Sequence, residues 1–229
     1  MKKILFSIGL CAAILAVAQS AQAAAIGVYG TGGINLSTWD YEDRTETVKT
    51  TDVIYGCGAV FDTNAAKNEL FNYRLTVGYE QYRRKHEKTD NLGEPVHRVS
   101  MSHTFGFGMV RTDLIRFWAG PRIGLHYLNY RDSYTSIRIN LIPPMAYPYK
   151  VTVKLDYIGF DLLLAFGVNF NIGKIATIFI DLGFGYMGNY NVHVTNNGHG
   201  FGFDAKVGVM FRINDTYGQA SKPADIKLQ

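Results

Sequence analysis

The sequence predicts an all-β protein, an eight-stranded antiparallel up-and-down barrel. Three observations lead there. Apolar and polar residues alternate with period two in eight successive segments. The connections between those segments alternate long and short. The composition favours strands and turns, with 24 Gly, 15 Tyr and 14 Phe in 229 residues. Other classes are excluded by the same numbers. A chain that is 47% hydrophobic and 18% charged is not disordered. A mean hydropathy of −0.03 is too polar for a bundle of membrane-spanning helices. The net charge of +4 includes Lys2 and Lys3, which belong to a cleavable leader, so the mature charge is too small to argue for nucleic acid.

Residues 1–23 read as a secretory signal peptide. Lys2 and Lys3 form the charged start, 4–18 is an apolar run of about 15 residues, and Ala21-Gln22-Ala23 is a small-x-small cleavage site. A spanning helix needs about 20 residues, so the run is short for an anchor. Cys11 follows Leu10 and not a small residue, which argues against lipidation. Past the leader, Cys57 is the one remaining cysteine, so no internal disulfide holds the fold.

The eight segments follow in order. The first, about 26–38, places Ile34 and Leu36 on its apolar face. The second, 53–61, places Tyr55, Cys57, Ala59 and Phe61 on one side. In the third, Phe71, Tyr73, Leu75, Val77 and Tyr79 oppose Asn72, Arg74, Thr76, Gly78 and Glu80. The fourth, about 97–110, has Val99, Met101, Phe105, Phe107 and Met109 on a face that His103 interrupts. The fifth, 115–130, has Phe117, Ile123, Leu125 and Tyr127 together. In the sixth, Ile158, Phe160, Leu162, Leu164, Phe166, Val168 and Phe170 oppose Gly159, Asp161 and Gly167. In the seventh, Ile178, Ile180, Leu182, Phe184 and Tyr186 oppose Asp181, Gly183 and Gly185. In the eighth, Phe201, Phe203, Ala205, Val207, Val209 and Phe211 oppose Asp204, Lys206 and Gly208. Long connections are expected at 40–52, 83–96, 131–152 and 187–200, and short ones at 62–69, 111–114 and 171–176. That segregation of long and short ends is the pattern of a membrane barrel with outer loops and periplasmic turns.

Which face meets water decides between two barrels. A lipocalin-like soluble barrel keeps its apolar face inside; a transmembrane β-barrel does the reverse. Here the polar face is rich in Gly, Ser, Thr and Asn with isolated charges, which suits a narrow interior and not a solvated exterior. The other face is continuous Phe, Leu, Ile and Val with aromatics near the strand ends. Outer-girdle candidates are Tyr79, Tyr127, Tyr157 and Tyr186, and inner-girdle candidates are Phe61, Phe71, Phe117 and Phe211. Strands of roughly 10–14 residues suffice for a tilted crossing.

The leader, the eight strands and the loop alternation together resemble the small OmpA/OmpX-type outer-membrane barrels, over residues 24–213. The resemblance implies a bacterial outer-membrane location. It also implies the secretion and barrel-assembly machineries as partners, and lipopolysaccharide at the outer rim. Residues 214–229 depart from it as a short polar tail after Val207-Gly208-Val209-Met210-Phe211, where many relatives end on an aromatic.

Inward positions carry Arg74, Glu80, Arg98, Arg116, Arg122, His126, Asp161, Asp181, Asp204 and Lys206. In so narrow a space these charges must pair, as a plug of the barrel or as the lining of an ion path. Arg122, Asp161, Asp181 and Lys206 should lie nearest mid-height. Gly183-x-Gly185-x-x-Gly188 matches a dinucleotide fingerprint but lacks the following helix that motif needs. His193 and His199, with His86 elsewhere, make a poor metal site. His103 could pair with a serine in a lipid-modifying enzyme, but Ser100 and Ser102 alternate inward; a bulge turning His103 away is the expectation. No cofactor, metal or catalytic set is expected.

In the third long connection, Thr135, Ile137, Ile139 and Leu141 alternate with Ser136, Arg138 and Asn140. Pro143-Pro144 and Pro148 follow, and alternation resumes at Val151, Val153 and Leu155. This predicts a projecting hairpin at 131–152, a contact site for a host surface, a phage or another envelope protein. The expected role is therefore structural or surface interaction through outer loops. A narrow channel or small-solute-binding barrel is the alternative, a lipid-modifying enzyme comes third, and a lipocalin-like binder applies outside a membrane.

Overall fold

The computed structural model describes residues 24–40, 47–65, 70–86, 95–141, 144–192 and 197–213, with backbone alone for 85–86 and 130–154. The expected leader, the tail at 214–229 and His193 lie outside them. The elements are β1 (Ala25–Asp40), β2 (Val48–Asp62), β3 (Phe71–His86), β4 (Val96–Arg111), β5 (Ile115–Leu141), β6 (Pro144–Ile172), β7 (Ala176–Asn191) and β8 (Asn197–Arg212). Each pairs antiparallel with its sequence neighbours, and β1 closes on β8 from Ala25↔Arg212 to Asp40↔Asn197. Closure leaves no open edge around the wall, so its backbone polar groups are satisfied without water.

Alternation sets the faces. Val28, Leu36, Leu125, Ile158, Phe184, Phe203 and Val207 are exposed on the outside. Thr31, Asn35, Thr76, Arg98, Asp161 and Lys206 are buried inside. This is a water-soluble protein turned inside out, and hydrocarbon is the solvent in which it is stable. On β7 the exposed face runs from Ile178 to Tyr190. That is about 40 Å along the strand, or about 30 Å along the axis at a tilt of roughly 40°, which matches a bilayer core.

Several expectations are corrected. Six strands have 15 or 16 residues, and β5 and β6 have 27 and 29, against the 10–14 expected. Most of the growth is at the long-loop ends, because pairing continues past the apolar band. Pairs from Tyr130↔Leu155 to Leu141↔Pro144 build a two-stranded ribbon beyond the wall, where β4 stops at His97↔Asn129 and β7 at Tyr157↔Asn191. Its tip at 142–143, with Pro143, lies outside the described residues. No bulge sits at His103, which pairs in register with Leu75 and Ile123. The shift in β4 comes later, between Gly108 and Val110. Tyr157 is 2% exposed and faces inward, in phase with Gly159 and Asp161, so it is no girdle residue. Phe61 is 4% exposed, covered by Ala24 and Leu75. The β6–β7 turn uses Gly173 at φ 54°, a conformation that costs a residue with a Cβ.

Leu162 is 49% exposed and pairs with Ile123 at mid-height. On a solvated surface Leu162→Arg would be silent. In lipid vesicles it should cost about 2–4 kcal/mol, read from urea unfolding.

Candidate functional site: the charged interior and the outer rim

Every inward charge named from the sequence is buried. The structure adds Asp52, Asp62 and Arg84, which lie inside at strand ends that look like loop in the sequence. Six carboxylates (Asp52, Asp62, Glu80, Asp161, Asp181, Asp204) thus share the interior with six cations (Arg74, Arg84, Arg98, Arg116, Arg122, Lys206). The described interior is neutral without counting His126.

The pairs stack in levels. Nearest the short turns, Arg74 is 2.7 Å from Asp62 and 2.6 Å from Asp181, and donates to Asn169 Oδ1 at 2.8 Å. Its guanidinium lies 5.1 Å from the Trp118 ring and 4.7 Å from Phe179, a sandwich that suits a delocalised cation. Arg116 donates to the Asn64 carbonyl at 3.0 Å. At mid-height, Arg122 sits 2.8 Å from Asp204 and 3.9 Å from Asp181, and donates to Thr104 Oγ1 at 3.2 Å. Lys206 is 3.6 Å from Asp204 and donates to Thr76 Oγ1 at 3.3 Å. Above, Arg98 contacts Asp161 and the Tyr82 hydroxyl and is 3.5 Å from Glu80. His126 Nδ1 is 3.2 Å from Asp161 Oδ1, and its Nε2 is 2.7 Å from Asn189 Oδ1. At the outer mouth, Arg84 is 3.0 Å from Asp52 and stacks 4.2 Å from Trp39.

Glycines make room for this. A Cβ on Gly183 would lie 2.2 Å from Asp204 Oδ1, and one on Gly167 would lie 2.3 Å from the Trp118 ring. The Gly183–Gly185–Gly188 run is therefore strand throughout, inside β7, and one of its glycines clears space for the Arg122–Asp204 pair.

The interior is not polar from end to end. Trp39, Ile54, Tyr82, Val96, Leu128 and Tyr157 form a buried apolar cluster at the outer end, with Trp39 and Tyr157 edge-to-face at 5.3 Å. Tyr29, Val60, Phe179 and Met210 form another towards the short turns. Among the described residues, a void beneath Trp39 and Arg84 and another beside Arg122 and Lys206 are each large enough for about one water molecule. Among the described residues, no group of three or more His, Cys, Asp or Glu could hold a metal ion.

No protein-family model and no curated protein matches the chain. Solved structures do. The outer membrane protein OprG of Pseudomonas aeruginosa aligns with TM-score 0.49 and 9% identity, over 84% of this chain and 98% of that one. Neisserial surface protein A aligns at 0.34 and 13%, over 79% and 96%. Ail, the attachment invasion locus protein of Yersinia pestis, aligns at 0.36 and 10%, over 82% and 98%. Closure of eight antiparallel strands, an apolar exterior and a charged interior are, on this chain's own geometry, the architecture of a small outer-membrane barrel.

The barrel's outer rim is a belt of polar contacts on its outside. Tyr55 donates to Gln81 Oε1 at 2.9 Å, and Tyr79 Oη is 2.5 Å from His97 Nδ1. Tyr127 and Asn129 donate to Asp156 at 2.6 and 2.7 Å. Such groups mark where hydrocarbon gives way to headgroups, and the β5–β6 ribbon begins there. Tyr186, the remaining girdle candidate, stacks on the exposed His199 at 6.5 Å. His103 stays on the outside, 2.6 Å from the Tyr73 hydroxyl, whereas Ser102 faces inward against Thr76 at 2.6 Å. Serine and histidine lie on opposite sides of the wall and cannot act as a dyad.

Arg74→Met should be the most damaging conservative-volume change in the interior. It takes from buried Asp62 and Asp181 their closest cation, leaving Asp181 to Arg122 at 3.9 Å, at a cost of about 3–5 kcal/mol in urea unfolding from vesicles.

Proposed function

We propose that this chain is an integral protein of the bacterial outer membrane whose barrel is a sealed anchor and whose working surface is the β5–β6 ribbon. The ribbon carries the proposal: twelve registered pairs extend beyond the points where both neighbouring strands end. At about 3.4 Å per residue this is roughly 40 Å of sheet past the membrane boundary. In sequence, 131–155 holds Arg131, Arg138, Lys150 and Lys154 against Asp132, which favours an acidic partner. The apolar clusters towards both ends of the interior, and the paired charges interleaved with them, favour an anchor over a channel. The Ser–His separation across the wall speaks against a lipid-modifying enzyme. Lipopolysaccharide would contact the outer polar belt, and the secretion and barrel-assembly machineries would deliver the chain.

A cysteine placed by Ser136→Cys in a Cys57→Ser background should react with a membrane-impermeant maleimide on intact cells. Labelling only after the outer membrane is breached would overturn the proposed surface role. In planar bilayers the purified barrel should give no steady current; a stable ohmic conductance would return the channel reading.

A further inference from the structure

His103 is out of place in the lipid-facing band. Among the described outward side chains between the two ends of that band, it alone belongs to the charged, amide or histidine class. Its depth is central: on β4 it lies midway between His97, in the outer polar belt, and Met109, near the short turn. Its cross-strand partners Leu75 and Ile123 are apolar. Headgroups and water do not reach the middle of the hydrocarbon.

The Tyr73 hydroxyl satisfies one ring nitrogen. What remains does not depend on the tautomer. If tyrosine donates to Nδ1, an Nε2–H donor and a phenolic acceptor are left over. If Nδ1–H donates to the phenol, an Nε2 acceptor and an O–H donor are left over. Either way the dyad presents one unspent donor and one unspent acceptor, on half-buried side chains whose polar ends lie 2.6 Å apart. All copies of a barrel insert with the same orientation. A two-fold axis along the membrane normal therefore brings each dyad to its own depth in a neighbour, donor opposite acceptor twice over.

We propose that the β3–β5 wall around His103 and Tyr73 is an interface with a second copy of this chain, closed by reciprocal histidine–tyrosine hydrogen bonds. The proposal rests on the membrane reading above and goes beyond it. Removing both bonds from a bilayer-embedded interface should weaken association roughly tenfold.

The test is disulfide trapping in vesicles, in a Cys57→Ser background. Ile123→Cys, beside His103, should give an oxidised dimer, and Val207→Cys, on the far wall, should not. Adding His103→Phe to Ile123→Cys should move half-maximal trapping to roughly tenfold higher protein-to-lipid ratio. Equal trapping from both walls, none from Ile123→Cys, or trapping indifferent to His103→Phe would overturn the interface. Vesicle flotation and altered gel mobility on boiling, run on each variant, report insertion and folding separately. Loss of those would count against the membrane reading and not against the interface alone.

Discussion

Twelve charged side chains share the inside of the described barrel, and their need for partners organises the rest. An unpaired charge in such a space would cost several kcal/mol. The wall must therefore hold each carboxylate within reach of a cation, from the adjacent strand for Asp52, Asp62 and Glu80 and from a non-adjacent one for Asp161, Asp181 and Asp204. Arg74 on β3 meets Asp181 on β7, and Arg122 on β5 meets Asp204 on β8. These bonds run across the barrel and not along it, so they fix its cross-section as the backbone ladders fix its circumference. The aromatic rings that sandwich Arg74, and the Trp39 ring stacked on Arg84, fill the space that hydrogen bonding leaves.

The same pairing explains why the interior suits an anchor. Each level is neutral or nearly so, and the apolar clusters lie towards the two ends, where an ion would enter or leave. An ion crossing the barrel would have to part charges that are paired with one another. A rigid, filled wall is also a firm base for the β5–β6 ribbon, because the ribbon's two strands are continuous with the wall. Binding on the ribbon would not have to order its root.

Much of this was legible in the sequence, and the gaps have physical causes. Alternation gave the eight strands, their faces and the ten inward charges, because period two survives wherever one face meets lipid. It lost the strand ends. Asp52, Asp62 and Arg84 sit where the outward face turns polar, so the contrast that marks a strand disappears although the ladder continues. Tyr157 was misplaced by its aromaticity when its phase with Asp161 already assigned it inward. His103 was expected to escape the lipid face through a bulge. The structure keeps it there by a hydrogen bond to Tyr73, a pairing between neighbouring strands that one strand's pattern does not reveal. The cross-barrel partners were beyond reach for the same reason: Arg74 and Asp181 are 107 residues apart.

The central claim is that the apolar face meets lipid while the charged face is sealed inside. A spin-label scan of β6 from 160 to 166, in vesicles and a Cys57→Ser background, tests it most directly. Labels at Phe160, Leu162, Leu164 and Phe166 should collide freely with oxygen and hardly at all with a water-soluble nickel chelate. Labels at Asp161, Leu163 and Ala165 should meet little of either. Chelate access at the even positions would mean that this face lies in water, and the lipid-facing barrel described here would be wrong.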